Sequence, residues 1–285
     1  LEKWEFLKDY KYSVIFTCND FSSTLKKAKE IIPLENTYEN DYLYTSFVKP
    51  VAYSMDGYYF LKFNLAYAAI HPLTQEEFLT KYPFLVVFHE KGELIEFRFD
   101  VLKRVFLSDK KEPTIYSNLI AEMSDYFKEH FECDLIPLNL DFMVNVCKRD
   151  ENVKLIAQSM KLPNGGNAQL DVGNNQEYIL PFIGELRSLL NDNQAELEKV
   201  PDFREALEQF MFEMEEMSDY PWIELLWENE IKTRSNRVKF VFNYMNKSYC
   251  LIQYYYSNVL IGMERMNYVI EYIVNHRNDD TTQNE

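Results

Sequence analysis

No apolar run in this sequence approaches the roughly 18 residues that a helix needs to cross a bilayer. The opening stretch Leu1 to Tyr10 is charged where a signal peptide would be apolar. No membrane association is therefore expected, and the expected location is cytoplasmic. Cysteine is sparse: Cys18, Cys133, Cys147 and Cys250 lie far apart inside apolar patterns, which fits reduced, buried small hydrophobes. His71, His89, His130 and His276 are equally scattered, with no Cys or His partner at zinc spacing. The stretch from His89 to Glu93 lacks the second histidine of a metalloprotease helix, and Gly92 makes a turn of it. Only seven glycines occur, and none builds a phosphate loop, a dinucleotide fingerprint or a nucleophile elbow. No metal and no cofactor is expected.

What is present suffices for a folded chain. An apolar share of 47% over 285 residues, rich in Tyr and Phe, argues against intrinsic disorder despite a net charge of -16. That charge opposes direct nucleic-acid binding, whose main term is neutralisation of phosphate by Lys and Arg.

The pattern predicts an α+β fold of antiparallel hairpins and meanders packed with amphipathic helices, in two subdomains. Residues 1–162 read as a mixed α+β domain, 163–176 as a Gly/Asn-rich linker, and 177–285 as acidic helices followed by a three-stranded meander and a carboxyl-terminal helix. Tyr12 to Thr17 is strand-like and Ser22 to Ile32 helical in period. Asp56-Gly57 lies between apolar runs and predicts a hairpin, because such turns need positive φ. Thr74 to Lys81, after Pro72, predicts a short helix. A second hairpin turns about Lys91-Gly92. In its second strand Leu94, Glu96, Arg98 and Asp100 alternate with Ile95, Phe97, Phe99 and Val101, which predicts one wet and one buried face. Ile115, Leu119, Met123, Tyr126, Phe127 and His130 recur at helical spacing. Leu135 to Val146 reads as extended.

In the last third, Phe203, Leu207, Phe210, Met214 and Met217 form one stripe of a helix. Pro221 to Ile231 then alternates with period two, facing Val238 to Met245 across a polar loop, and this register sets Glu230 opposite Lys239. Tyr249 to Tyr256 completes the meander, and Met263 to His276 closes as a helix.

Charge is the distinctive feature. Between Asp192 and Glu230 stand 13 acidic residues against Lys199 and Arg204. Lys232, Arg234, Arg237 and Lys239 then form a basic cluster at the expected hairpin loop. Candidate partner-binding residues are Glu205, Glu208, Glu213, Glu215 and Glu216 on the helix, with Lys232, Arg234 and Arg237. The bland explanation is a solvated helix face that keeps the protein soluble. The sharper one is an acidic surface that docks a basic partner, with the basic loop gripping a carboxylate-rich surface, such as another copy of the chain. Asp219, Glu230 and Lys232 follow the acid, acid-x-lysine order of metal-dependent nucleases and are the weak catalytic candidates.

Absent catalytic signatures and segregated charge point away from an enzyme, towards a protein–protein interaction module. Expected is a self-associating inhibitor or adaptor whose partner carries a basic surface. A narrower version is an acidic inhibitor of a nucleic-acid enzyme, as a mobile element or virus directs against its host, because carboxylates can fill a groove built for phosphates. Two other classes stay open: a hydrolase or nuclease with a site assembled from distant residues, and a structural subunit of a larger complex.

Overall fold

The computed structural model describes residues 2–31, 43–55, 57–70, 74–103, 114–150, 152–162, 166–171, 186, 189–216, 218–227, 235–255 and 262–277. The fold is α+β with antiparallel sheet, and the chain divides into two compact units, Leu1–Leu140 with Asn243–Glu285, and Asp141–Phe242.

The first unit opens with helix α1 (Glu2–Leu7), strand β1 (Tyr12–Thr17) and helix α2 (Phe21–Ile31). Strand β2 (Val51–Met55) pairs with β3 (Tyr58–Ile70) across a turn in which Gly57 has φ +76°, the left-handed conformation expected there. Strand β4 (Glu77–His89) pairs with β3 along thirteen residue pairs, from Ile70↔Glu77 to Tyr58↔His89. The short helix expected at Thr74 to Lys81 is therefore a strand over its second half. An isolated helix of that length is marginal, whereas the β3 ladder pairs Glu77 to Lys81 with Ile70 to Ala66. Strand β5 (Leu94–Phe99) pairs with β4 and β1, and a four-residue strand, β11 (Leu251–Tyr254), lies on the other side of β1. The sheet order is β2-β3-β4-β5-β1-β11.

Both faces of this sheet are covered. On one face, helix α3 (Ile115–Phe131) buries Leu119, Ile120, Met123, Tyr126 and Phe127. Phe127 packs on Phe88 and Phe97, and Tyr126 meets Phe63 edge-on at 5.1 Å. On the other face lies the carboxyl-terminal helix (Glu264–His276), which buries Met266, Asn267, Val269, Ile270 and Ile273. Glu96 and Arg98, expected on a wet face, are fully buried beneath it. An alternating charged pattern reads as solvated, yet charges that satisfy one another can be covered. The region expected as extended, Leu135 to Val146, contributes only the two-residue strand β6 (Ile136–Pro137) on β1 before helix α4 (Met143–Arg149) begins in the second unit. Met143, Val146 and Cys147 are buried at helical spacing there.

The second unit is a four-stranded antiparallel sheet in the order β10-β9-β7-β8. Its strands are β7 (Val153–Lys161), β8 (Asn167–Asp171), β9 (Asp219–Trp227) and β10 (Asn236–Val241). Two register shifts interrupt β7 against β9, and they blur its period in the sequence. The stretch expected as a linker holds β8, which pairs with β7 from Lys161↔Asn167 to Ala157↔Asp171. Strands β9 and β10 pair antiparallel as expected but in a shifted register, since Val238 faces Leu225 in place of the expected Ile231. The slip covers an even number of residues, so the burial pattern survives: Ile223, Leu225 and Trp227 are all buried. Lys239 faces Glu224 in place of Glu230.

Among the described residues, no helix is long and apolar enough to cross a membrane.

Candidate functional site

The acidic segment is built on two helices of the second unit, α5 (Gln194–Leu197) and α6 (Pro201–Glu216), which leaves the terminal helix Glu264–His276 as α7. Pro201 suits the start of α6, where an amide would lack a helical partner in any case, and Asp202 lies in its first turn. The helix docks through Met211, buried against Met160, with Leu162, Ala168, Leu190, Met214 and Tyr220 around the pair. The inward face thus runs through Met211 and Met214, a slight rotation that keeps Met214 of the expected stripe inward and turns its Phe203 and Phe210 outward.

That rotation leaves aromatic rings in solvent. Phe203, Phe210 and Phe212 are 58%, 47% and 56% exposed. Phe203 and Phe210, seven residues apart, share one edge of the helix, and Phe212 stands with Glu208 and Glu205 on the outer side. Glu205, Glu208 and Glu213 are exposed. Arg204 Nε donates to Glu208 Oε1 at 2.7 Å and Gln209 Nε2 to Glu213 Oε1 at 2.9 Å, i to i+4 bonds that hold these carboxylates along the helix. Glu215 and Glu216 end the helix, and their side chains lie outside the described residues.

Two members of the expected basic counterpart are engaged within the unit. Arg237 Nε donates to Glu224 Oε1, and Lys239 Nζ lies 3.5 Å above the Trp222 ring, where burial lowers its pKa. Lys232, Arg234 and Glu230 lie outside the described residues. Of the nuclease-like trio, therefore, only Asp219 is placed, exposed at the start of β9 opposite Lys161. Among the described residues, no three His, Cys, Asp or Glu side chains are grouped to hold a metal ion.

The first unit has a pocket of about 200 Å³ where the Gly57-Tyr58 and Lys91-Gly92 turns meet α7 at Ile270, Glu271 and Val274. Its buried polar wall is His89, whose Nε2–H donates to Glu96 Oε2 at 2.8 Å while the Tyr58 ring packs edge-on. Burial lowers the His89 pKa despite the Glu96 carboxylate, which favours the neutral ring. Burial pushes Glu96 up, but the Arg98 guanidinium and the His89 N–H outweigh it and hold the carboxyl at about 2. Arg98 Nε and Nη2 reach the same Glu96 oxygen at 2.8 and 2.7 Å. A carboxylate-oriented histidine is half of an acid–base dyad. No serine or cysteine is among the described residues lining the pocket; Lys91, Tyr58 and Glu271 are its other polar side chains together with Asn275. Under α7 the network pairs the Glu96 carboxylate with the Arg98 guanidinium.

Neither set of residues was singled out for this role by its spacing. The signal for the exposed rings was Phe212, which sits off the expected stripe among glutamates. The signal for the buried network was Glu96 and Arg98 two residues apart, on a strand already rich in aromatics.

Compared with protein-family models and with curated proteins, the chain matches none.

Proposed function

We propose that the protein is a non-enzymatic protein-binding module of the inhibitor or adaptor class, and that α6 is its docking element. The observation that carries this reading is the set of three phenylalanines standing in solvent among carboxylates on one helix. Burying a ring of this size is worth about 1.5–3 kcal/mol, so leaving three in water is a cost that a partner recovers. The acids do not add much affinity; they steer encounter and select against acidic surfaces. The partner is a protein with an apolar groove rimmed by Lys and Arg. A nucleic-acid enzyme inhibited through its phosphate groove is the narrower form of the same proposal. Self-association is less favoured, because Arg237 and Lys239 are engaged with Glu224 and Trp222.

The test compares the wild-type chain with the triple variant Phe203→Ser, Phe210→Ser, Phe212→Ser, with matched melting temperatures as the folding control. A specific protein retained from native lysate by the wild type, lost by the triple variant and weakened at high salt, supports the reading. Identical retention by both chains, or none at either salt, rejects it. A wild-type dimer in light scattering that the triple variant abolishes replaces the basic partner with a second copy.

A further inference from the structure

The turn at Lys91-Gly92 rests directly on α7. A Cβ at Gly92 would lie 2.7 Å from Val274 Cγ2, and Arg277 Nη1 donates to Gly92 O at 3.0 Å, so a glycine and a helix-end arginine fix the turn against the helix. Together with the Gly57-Tyr58 turn these elements enclose the pocket of about 200 Å³. Its walls belong to paired strands and a helix, the kind of preformed concavity that small ligands occupy. The volume exceeds the roughly 150 Å³ of an apolar cavity that takes up benzene, so a substituted ring fits.

Ile270 and Val274 make an apolar wall on α7, and Tyr58, whose ring stands at 82° to His89 with centroids 5.3 Å apart, adds an aromatic one. The charged lining side chains, Lys91 and Glu271, are one of each sign, and behind His89 the Glu96 carboxylate is matched by the Arg98 guanidinium. The site therefore favours no net ligand charge. Its polar floor is an acceptor with no donor. His89 is only 5% exposed, and its Nε2 lies 2.8 Å from Glu96 Oε2, a carboxylate oxygen that can only accept. Nε2 thus carries the hydrogen of the neutral ring, and Nδ1 keeps a bare lone pair. No described residue hydrogen-bonds Nδ1, yet that atom is not sealed from solvent, and the opening that His89 lines is this pocket. An acceptor so placed is costly to leave unmet, and a ligand that brings a donor removes the cost.

We propose that this pocket binds a small neutral aromatic ligand carrying one hydrogen-bond donor, of the phenol or indole class. The ligand's O–H or N–H donates to His89 Nδ1, and its ring lies against Tyr58, Ile270 and Val274. Glu96 is the positioning residue: by accepting from Nε2 it fixes the tautomer that leaves Nδ1 free to accept. The site belongs to the first unit, so it is a function additional to that of α6 in the second.

The experiment titrates the full chain at pH 8 with phenol, indole and toluene, read by nitrogen-15 NMR of protein labelled at histidine. Phenol and indole saturate, and the His89 Nδ1 resonance moves from that of a bare ring nitrogen towards that of a hydrogen-bonded one. Toluene matches phenol in shape but lacks the donor, and it binds about tenfold more weakly. In His89→Leu the affinity for phenol falls to that for toluene. Asn275→Trp, at an exposed lining position on α7, closes the mouth and abolishes binding of all three probes. It keeps the test decisive if His89→Leu is poorly folded by circular dichroism. Equal affinities for phenol and toluene, binding that survives Asn275→Trp, or no saturable binding of phenol and indole overturns the proposal.

Discussion

Arg98 Nη2 donates to Asn267 Oδ1 at 2.7 Å, which ties β5 to α7 between two buried side chains. The same guanidinium carries Glu96, and Glu96 carries His89, so removing one member strands the others. Asn267→Leu should cost about 1–3 kcal/mol, the range for an orphaned buried donor. Glu96→Leu should cost about 3–5 kcal/mol, because it leaves a buried, unpaired cation. Removing both partners in Glu96→Leu with Arg98→Leu should cost less than Glu96→Leu alone. Urea unfolding of the three variants decides, and a double variant less stable than Glu96→Leu would show that the ion pair is not the coupling element.

The same network makes stability fall with acid. His89 is held below its ordinary value near 6.5 in the folded chain, so on acidification the unfolded chain takes up a proton that the folded one refuses. Glu96 is held at about 2, below its ordinary 4.5, and its contribution is present above pH 4.5 and lost as pH falls towards 2. Both signs agree. The urea midpoint should be lower at pH 5 than at pH 7. In His89→Gln the slope between those values should flatten while the fall below pH 4.5 remains. An unchanged slope would assign it to other groups.

Gly262 and Gly57 should respond differently to alanine. Gly262 has φ +67°, and a Cβ there would sit 2.7 Å from the Leu7 carbonyl oxygen, which already accepts from the Met263 amide. Backbone at that distance cannot yield as a side chain can. Gly57 has a similar φ of +76° but open space around it. Gly57→Ala should therefore cost about 1–2 kcal/mol from the left-handed conformation alone, and Gly262→Ala clearly more. Thermal unfolding of the pair measures the difference, and equal losses would remove the Leu7 contact as a cause.

Adjacent residues of α6 should separate core from surface. Met211→Ala deletes a side chain buried against Met160 and should cost about 2–5 kcal/mol. Phe212→Ala, at a position 56% exposed, should change stability by no more than about 0.5 kcal/mol. The second variant should still lose partner retention, which a purely structural ring would not.

Short-range chemistry settled a definite part of this protein. The turn at Gly57, the strand Tyr12 to Thr17, and the apolar faces of α3 and the terminal helix depend on backbone conformation and on the periods 2 and 3.6, which neighbouring residues carry. The acidity of the segment from Asp192 to Glu230 is likewise composition alone. Tertiary structure decided the rest, because it depends on what lies opposite. Thr74 to Lys81 became mainly strand because β3 offered a ladder. Glu96 and Arg98 became core because α7 covers them, and nothing within β5 distinguishes a wet charged face from a neutralised one. Phe203 and Phe210 were left in water because Met211 meets Met160, a contact made across about fifty residues of chain that no helical period encodes.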